Sequence, residues 1–515
     1  SSIGPFLVRL DDGKLLRQAD VVAGGSADAY VVVDPQGAFV TPDKTSDPQL
    51  EGSFTVNGIQ VKPAFQLLKE RAAEYPLDKV EQITTVPADK VQKLAVLYAT
   101  EKPAMLLPGY GIDRWSNGDF NALTIYMLSI ITGNLGKRGA GCGRGSGTWP
   151  IGANPVPWMF PRGFEVLPNY MNAFSAVSDE SPVHVWLLQG NFIQQYRPSI
   201  NTTLKFLNDP NHTDFVVAID HFMTTTAHYA DLILPSCTLF EKDDVMMMTH
   251  GSFLEIQHKA IDPLFESKSD LEIYREIAKR VGIGEYFAKS EDDYINEYLA
   301  GDDTVKGITL TDLREKGLIR AHVPEGAYVA FADGVFNTPT KRAQFYFEDL
   351  VEFEEQMPNF IPPRTYWPGT PEREKYPLNM TNAHSKYRVH SHYSNIPWLL
   401  EVNPEPVVEI NSIDANQRGI KDMDWVEVFN DNGHIVCHAQ VSEATRPGLL
   451  RLSEGWWWRF FKEGHFQEIT YDYKIERQEK THNNPMGFIL GTNYPLYEQP
   501  CDVRKWDGAG EVAAS

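Results

Sequence analysis

A cluster of basic and imidazole side chains lies in the carboxyl-terminal third of the sequence. Nine consecutive positions contain His384, Lys386, Arg388, His390, Ser391 and His392. Imidazole and guanidinium groups at this density suit an anionic ligand that is rich in nitrogen and oxygen atoms. A single histidine is more often structural, so this prediction depends on the whole group. A solvated basic surface is the alternative.

Three short apolar runs are each followed by a polar or glycine-containing loop, a pattern typical of buried strands that end at a ligand. The runs are residues 104–107, 183–188 and 215–219. In open α/β sheets, ligands bind beyond the carboxyl ends of the strands. We therefore expect one crevice lined by Gly109, Gly111, Gly190, Asn191 and Asp220. Ordinary strand-to-helix turns are the alternative for any one of these loops.

The pattern of elements divides the chain into three predicted domains. Residues 1–90 have short strands, turns and a helical stretch over 63–74, and we expect them to be the tail of a preceding α/β domain. Residues 91–370 alternate helices with apolar runs, which predicts a parallel sheet covered by helices. After a proline-rich passage, residues 371–515 are predicted to be mostly β, with a hairpin that turns at 431–433.

Composition excludes several classes of protein. The 515 residues are 42% hydrophobic and 12% aromatic, which favours a large multidomain core over disorder. The 47 basic and 69 acidic residues give a net charge of -22, which disfavours nucleic acid as a partner. No stretch approaches the roughly 20 uninterrupted apolar residues of a membrane-spanning helix, so we expect membrane association only through a partner.

The spacing of the cysteines and the first residues of the sequence each lead to a further expectation. Cys142, Cys237, Cys437 and Cys501 lie far apart, without the short paired spacings of zinc or iron-sulfur sites, so we assign no metal to them and expect buried thiols. The sequence opens at Ser1 without an initiator methionine or a signal-like region. We therefore expect Ser1 to be an internal point of a longer protein.

Several segments, taken in order from about residue 60 to the end, resemble the dimethyl sulfoxide reductase family of molybdopterin oxidoreductases. They include residues 109–111, 132–137 and 186–191, and the run 220–235, which reads DHFMTTTAHYADLILP. Residues 339–346 resemble the family's short hairpin before its final domain, and residues 388–392 resemble its cofactor-gripping loop. Residues 409–433 resemble the start of its double-psi β-barrel. The resemblance implies an α/β cofactor domain followed by that barrel.

The resemblance also implies a bis-molybdopterin guanine dinucleotide cofactor, whose four dithiolene sulfurs hold one molybdenum or tungsten. Diphosphates favour backbone N–H groups in loops and at helix amino termini, which the Gly190-Asn191 loop and Thr224-Thr225 could supply. A guanine offers N–H donors, for which the carboxylates of Asp220 and Asp270 are suitable acceptors. Lys242 is a further candidate contact.

Each of these residues could instead have a structural role within its own segment. Asp220 could be a helix N-cap, Asp270 a cap or a solvated side chain, and Lys242 half of an exposed ion pair with Glu241. By the resemblance, the pterin contacts are His384, Arg388, His390, Ser391 and His392, with Asn483 or Asn484 where the barrel closes. An asparagine before proline is equally good turn chemistry.

The resemblance is incomplete at one place. Most family members begin with a cysteine-bound four-iron cluster domain and later supply a Cys, Ser, Asp or selenocysteine ligand to the metal, and neither segment is found here. We therefore assign no catalytic residue and no metal ligand, with Cys142 as a weak replacement. We expect the iron-sulfur cluster only in a missing amino-terminal portion or a companion chain.

The expected function is that of a catalytic subunit that removes oxygen from a small-molecule substrate, using electrons from an iron-sulfur partner subunit. S-oxide reduction, N-oxide reduction and catechol dehydroxylation are all compatible with the sequence. The alternative is a non-redox hydratase or hydroxyl transferase, in which the metal acts as a Lewis acid. A third possibility is a module that kept the fold and lost the metal. Family analogy suggests a periplasmic location or membrane association through a partner.

Overall fold

The computed structural model divides the chain into two compact units. It describes residues 2–143, 169–170, 183–191, 193, 199–247, 252–301, 303–323, 329–471, 473–474, 488–489, 492–493 and 496–508. The first unit comprises Ser1–Asp113, Asn117–Gly145 and Gly326–Ile361, and the second comprises Arg114–Ser116, Ser146–Glu325 and Pro362–Ser515. The domain limits near residues 90 and 370 stay predictions.

The first unit combines short strands with helices. Its strands are β1 (Leu7–Arg9), β2 (Val32–Val33), β3 (Phe39–Val40), β4 (Phe54–Val56), β5 (Ile59–Pro63), β6 (Met105–Leu106) and β7 (Gly141–Cys142). Its α-helices are α1 (Gln18–Val21), α2 (Ala64–Ala73), α3 (Leu77–Thr84), α4 (Ala88–Thr100) and α5 (Gly118–Ile131), and its 3-10 helices are Pro42–Lys44, Tyr110–Asp113 and Glu348–Phe353. The helix predicted over 63–74 is confirmed by α2.

Two sheets of the first unit have different pairing. β1 and β4 both pair antiparallel with β5, while β6 pairs parallel with β7. Apolar side chains from distant parts of the sequence close the core of this unit, among them Ile3, Val8, Leu68 and Tyr346. The apolar run 104–107 therefore forms only a two-residue parallel strand among the described residues.

The second unit begins with α/β structure. Its strands up to residue 320 are β8 (Asn169–Tyr170), β9 (Val185–Gln189), β10 (Phe215–Asp220), β11 (Leu232–Pro235), β12 (Asp244–Met247), β13 (Phe253–Gln257) and β14 (Leu318–Arg320). The α-helices here are α6 (Ile200–Asn208), α7 (Asp270–Arg280), α8 (Glu291–Gly301) and α9 (Leu310–Lys316), and the 3-10 helices are Ala227–Tyr229, Leu239–Glu241 and Gly284–Phe287.

A parallel sheet orders β9, β10 and β11 with β10 in the centre. The central strand buries the consecutive residues Val216 to Ile219, as expected of a strand in a parallel sheet. β9 alternates, with Trp186 and Leu188 buried and Val185 and Leu187 exposed. The strands predicted from the runs 183–188 and 215–219 are confirmed, and their carboxyl ends lie at the same edge of the sheet.

The rest of the second unit contains a β-barrel together with short strands that pair outside the barrel sheet. Its strands are β15 (Leu378–Ala383), β16 (Val407–Ile410), β17 (Trp425–Asn430), β18 (Gly433–Val441), β19 (Leu449–Ser453), β20 (Glu463–Gly464), β21 (Tyr473–Lys474), β22 (Phe488–Ile489), β23 (Thr492–Asn493) and β24 (Gln499–Lys505). The helices are α10 (Pro371–Lys375), α11 (Pro397–Val402) and α12 (Ser412–Gln417), with 3-10 helices at Trp458–Phe460 and Phe466–Ile469.

Six strands close this barrel in the order β16, β19, β15, β24, β17 and β18, because β16 also pairs with β18. Alternate side chains of the strands fill the interior, including Val408, Val426, Ile435 and Leu450. The hairpin of β17 and β18 turns at residues 431–432, as the sequence predicted. The predicted fold class, an α/β region followed by a β-barrel, is confirmed.

The described residues also bear on membrane insertion. Among them, no helix has both the length and the apolar character needed to span a membrane.

Candidate functional site

Polar residues gather at the carboxyl edge of the parallel sheet in the second unit. Gly190 and Asn191 follow β9, and Asp220 ends β10. The Gly190 N–H donates to the carbonyl of Ile219 at 3.0 Å. Gly190 has a φ of +73°, which favours glycine, and no heavy atom of the described residues lies within 4 Å of the position that a Cβ would occupy. A ligand could therefore approach the backbone closely at this point.

Residues 224–226, which follow β10, are buried and are tied to the loop after β9. The Asn191 Oδ1 accepts hydrogen bonds from the backbone N–H and the hydroxyl of Thr226 at 3.2 and 3.3 Å. The Thr224 hydroxyl donates to Asp220 at 2.9 Å, and the Thr225 hydroxyl accepts from the backbone N–H of Trp458 at 3.3 Å. The structure thus brings the predicted residues of these two loops together.

Asp220 does not cap a described helix. Its carboxylate accepts from the backbone N–H of His221 at 2.7 Å and from the Thr224 hydroxyl. The next helix in the sequence is the 3-10 turn Ala227–Tyr229, whose N-cap is Thr226. Asp220 therefore shapes the loop that begins where β10 ends.

Asp270 stands at the first position of α7, while the neighbouring Ser269 caps that helix. Its carboxylate accepts from the Ser236 hydroxyl at 2.7 Å and from the Gln189 amide at 3.1 Å, and Lys242 lies 3.2 Å from the other oxygen. Burial raises the pKa of Asp270, but Ser236 and Lys242 outweigh it and hold the pKa below its usual value. Asp270 is therefore an ionised, half-buried acceptor.

Lys242 pairs with Asp270 and not with its neighbour Glu241. Glu241 instead forms a capping box with Thr238. Hydrogen bonds from Thr238 and from the backbone of Leu264 lower the pKa of Glu241 to about 2. The alternative of a Glu241–Lys242 ion pair therefore does not describe this segment.

The basic loop after β15 buries one charge, that of Arg388, which is 4% exposed. The guanidinium lies 3.4 Å from the ring centre of Trp456 and donates to the side chain and the carbonyl of Asn403. Its Nε is buried and has no hydrogen-bond partner among the described residues. Burial lowers the pKa of Arg388 to about 10, so the group stays charged at neutral pH.

The histidines of this loop are exposed, unlike Arg388. The Nδ1 atoms of His384 and His390 lie 2.8 and 3.0 Å from the same oxygen of Glu454. His392 places its Nδ1 3.0 Å from the carbonyl of Val389, within a tight turn. Ser391 is buried, and its carbonyl accepts from the indole N–H of Trp457 at 2.9 Å. The loop thus combines a buried cation with accessible imidazoles.

A cleft of about 310 Å³ opens beside this loop. It is lined by Lys386, Tyr387, Arg388, Val389, Tyr393, Ile396, Trp398 and Leu399. Positive charge and aromatic faces in one cleft suit a planar anionic ligand. The unpartnered Nε of Arg388 and the open side of Gly190 both fit a ligand with phosphate groups and heterocycles.

Some candidates lie elsewhere. Gly109 and Gly111 belong to the first unit, where Gly111 falls within the 3-10 helix Tyr110–Asp113. In the part of the chain that the structure describes, no heavy atom lies within 4 Å of a Cβ built at Gly109. Asn483 and Asn484 lie outside the described residues. Their roles stay predictions.

Sequence reasoning missed Glu454 and Asn403, although both contact the basic loop. Glu454 directly precedes the glycine and the three tryptophans at 455–458, but its contacts depend on strand pairing with β15. Asn403 ends α11 and offers both its side chain and its carbonyl to Arg388. No motif signals either residue.

Comparison with known families gives two matches. Residues 52–280 match the model described as Molybdopterin oxidoreductase, and residues 378–484 match the Molydopterin dinucleotide binding domain. Together the matches take in about two thirds of the chain. The second match begins at the first residue of β15 and includes the basic loop and Glu454. The matches confirm the expected cofactor, molybdopterin guanine dinucleotide with its metal.

Two curated relatives and one solved structure are similar to the chain. The catalytic chain of a candidate dimethyl sulfoxide reductase of Halobacterium salinarum is 30% identical over 94% of this chain and 61% of its own length. The alpha chain of the perchlorate reductase of Dechloromonas aromatica is 28% identical over 87% of this chain and 60% of its own length. The chain therefore spans about three fifths of these relatives.

The solved structure is the acetylene hydratase from Pelobacter acetylenicus. It matches with a TM-score of 0.61 at 21% identity, covering 86% of this chain and 66% of that chain. At this identity the likeness concerns the fold alone.

Proposed function

Because the chain belongs to the molybdopterin oxidoreductase family, we propose that it acts within a catalytic subunit that removes oxygen from a small substrate. The buried, charged Arg388 carries this proposal. It lies in the matched dinucleotide-binding domain and has no carboxylate partner among the described residues. A buried cation without a counter-charge fits an anionic ligand that arrives from outside the chain.

Several of the candidate residues have a proposed task toward the bis-molybdopterin guanine dinucleotide. Arg388, Ser391 and His392 hold the pterin end, where the Nε of Arg388 supplies a further N–H donor. The open face of Gly190 and the hydroxyls of Thr224 and Thr225 hold the diphosphate.

The guanine end has its own proposed acceptor. Asp270 is ionised and half-buried, and Ser236, Gln189 and Lys242 use three of the roughly four lone-pair sites of its carboxylate. The remaining site, on Oδ2, can accept a hydrogen bond from a guanine N–H group. Lys242 keeps the carboxylate charged and fixes its orientation.

Oxygen removal requires electrons and a metal that changes oxidation state. When bound, the cofactor metal supplies this redox chemistry. The residues of this chain hold and orient the cofactor and exclude water from its buried end. We propose that the electrons come from an iron-sulfur partner chain, because both similar relatives are named as single components of larger reductases.

The substrate class is an oxygen-bearing small molecule. S-oxides, N-oxides and catechols are candidates, and the name of the perchlorate reductase relative adds a chlorine oxyanion. The second candidate function is a non-redox hydratase or hydroxyl transferase. The likeness to acetylene hydratase is one of fold, so it does not favour that candidate over a reductase.

A dye-linked assay of the holoenzyme separates these functions. Reduced viologen is supplied as the electron donor with each oxygen-bearing substrate in turn, and dye oxidation is compared with product formation. We expect turnover of at least one substrate, with two electrons consumed per oxygen removed. Turnover of acetylene or pyrogallol without any dye would instead establish the non-redox function. A chain that carries no molybdenum or tungsten would contradict both.

A further inference from the structure

Two imidazoles and one carboxylate converge where β15 and β19 end. His384 follows β15, Glu454 follows β19, and His390 belongs to the loop between β15 and α11. Their ligand atoms all lie within 4.8 Å of one another. We propose that His384, His390 and Glu454 bind a divalent transition-metal ion of the zinc type. This inference is independent of the proposed reaction and concerns an ion other than the cofactor metal.

The contacts to Glu454 favour an ion over simple hydrogen bonds. The Nδ1 atoms of His384 and His390 lie 2.8 and 3.0 Å from Oε1 of Glu454. This oxygen is nevertheless buried and accepts no hydrogen bond from the described residues, so neither imidazole donates to it. A buried carboxylate oxygen without a donor is costly. An ion bound by all three groups would remove that cost.

The spacing also fits coordination. Metal–nitrogen and metal–oxygen bonds of about 2.0 to 2.2 Å place the ligand atoms of one ion roughly 3 to 3.5 Å apart. The two nitrogen–oxygen separations, 2.8 and 3.0 Å, lie just below and at the lower end of this range, and the whole set lies within 4.8 Å. Small side-chain shifts would therefore complete the site.

The backbone holds two of the ligands in place. β15 and β19 are parallel neighbours, with Ala383 opposite Ser453, so His384 and Glu454 are the next residues on adjacent strands. The backbone N–H of Glu454 donates to the carbonyl of Ala383 at 3.0 Å. A site built on paired strands is more rigid than one built on loops alone.

The third ligand is held by an unusual backbone. His390 has a φ of +52°, which is uncommon for a residue with a side chain. Its carbonyl oxygen lies 1.9 Å from the position that a Cβ would occupy on Gly455. The Ser394 hydroxyl donates to the carbonyl of Gly455 at 2.6 Å. These contacts close the loop over Glu454 and direct the His390 ring toward it.

The ligand set indicates the class of ion. Two neutral imidazoles and one carboxylate suit Zn²⁺, Co²⁺ and Ni²⁺ better than the oxygen-preferring Mg²⁺ or Ca²⁺. The side chains of His384 and His390 are 68% and 46% exposed. The remaining coordination positions would therefore be open to water.

The test is a Co²⁺ titration of the full chain after treatment with a chelator, followed by visible absorption and by displacement with Zn²⁺. We expect one saturable Co²⁺ per chain. Glu454→Gln keeps the shape and removes the charge, and His390→Asn keeps a residue that tolerates positive φ. Both variants should weaken binding by at least the roughly 10- to 100-fold that loss of a supporting partner causes at metal sites.

The matched control is Glu463→Gln, which removes a carboxylate that faces a single imidazole among the described residues, that of His434 at 3.7 Å. It should bind Co²⁺ like the parent chain. Unchanged binding in either ligand variant that melts like the parent would overturn the proposal. So would retained Co²⁺ binding combined with a loss of molybdenum and guanine nucleotide, because the histidines would then serve the cofactor alone. If Glu454→Gln does not fold, His390→Asn decides the outcome.

Discussion

Arg388 carries a buried positive charge that the described residues compensate only in part. Asn403 offers neutral oxygen atoms and Trp456 offers the face of its ring. These partners are weaker than a carboxylate, so the buried charge carries a desolvation cost that its removal from the cofactor-free chain relieves. Removal of Arg388 therefore distinguishes two roles. A structural role predicts lower stability of the cofactor-free chain, whereas a binding role predicts lower cofactor content at unchanged stability.

We predict that Arg388→Met lowers cofactor content without lowering the stability of the cofactor-free chain. Methionine is flexible enough to occupy the volume against Trp456. Loss of a charged hydrogen bond worth about 1.5 to 3 kcal/mol should weaken cofactor retention roughly tenfold or more. Molybdenum and guanine nucleotide content measure retention, and urea unfolding measures stability.

The control for this prediction is Arg451→Met. Arg451 pairs with Glu409 on the outside of the barrel, so its replacement should leave cofactor content unchanged. If Arg388→Met kept full metal and nucleotide content with normal turnover, the basic loop would be a surface feature. The placement of the pterin end would then be wrong.

At the scale of elements, the closure of the basic loop depends on Gly455. Its φ is +96°, and a Cβ there would lie 1.9 Å from the carbonyl oxygen of His390. We predict that Gly455→Ala destabilises the second unit by more than the roughly 1 to 3 kcal/mol expected of backbone strain alone. Gly448→Ala is the matched control, since its φ is +82° but the nearest atom lies 3.8 Å away. Equal losses of unfolding free energy in the two variants, measured with urea, would show that the His390 carbonyl does not crowd a side chain at position 455.

The contact between the 3-10 helix Phe466–Ile469 and α6 contains a half-buried acid, Glu468. Burial raises the pKa of Glu468 to about 7, against smaller opposing effects of Asn201 and the backbone of His465. The unfolded chain ionises this group near its ordinary pKa of about 4.3. Its contribution to stability is therefore fully present below that value and is lost as pH rises toward 7.

We predict that Glu468→Gln removes part of the decline in unfolding free energy between about pH 5 and pH 8. Urea unfolding at the two pH values measures the difference. Asn201→Ala should act in the opposite direction, because the Asn201 hydrogen bond lowers the pKa of Glu468. A parent-like pH dependence in Glu468→Gln would assign the decline to other groups.

Some of these elements could be predicted from the sequence, and some of the contacts between them could not. β9 and β10 could be predicted because a parallel strand buried by its neighbours is an uninterrupted or alternating apolar run, and such a run is local. The hairpin turn at 431–432 is equally local. The position of Glu454 could not be predicted, because it follows from the register of Ala383 with Ser453, two residues far apart in the sequence. Asn403 was missed for the same reason.

At the scale of the whole molecule, the cysteines do not form a cluster site. Cys237, Cys437 and Cys501 are buried and Cys142 is half-buried. Burial raises the pKa of Cys437 to about 12 and raises those of the other three thiols, so thiolate ligands are disfavoured. We predict that the isolated chain binds no iron-sulfur cluster. Iron and acid-labile sulfide in stoichiometric amounts would contradict this prediction.

The whole chain has a net charge of -22, yet it belongs to a family whose cofactor is itself anionic. Local positive charges must therefore outweigh the negative electrostatic field of the whole chain. Such charges lie in two places. Arg388 and Lys386 border the cleft, while Lys242 supports Asp270 at the edge of the parallel sheet. Arg388 is proposed for the pterin end of the cofactor and Asp270 for its guanine end, so the proposed contacts lie at both ends of the ligand.

We therefore predict about two guanine nucleotides for each molybdenum or tungsten in the purified holoenzyme, because each dinucleotide ends in a guanine whose diphosphate needs its own loop. Acid release followed by chromatography measures GMP, and elemental analysis of the same sample measures the metal. A ratio near one would mean that the holoenzyme binds a single dinucleotide for each metal ion, which would contradict the bis-dinucleotide cofactor. Release of no GMP would contradict the assignment of a dinucleotide to these loops.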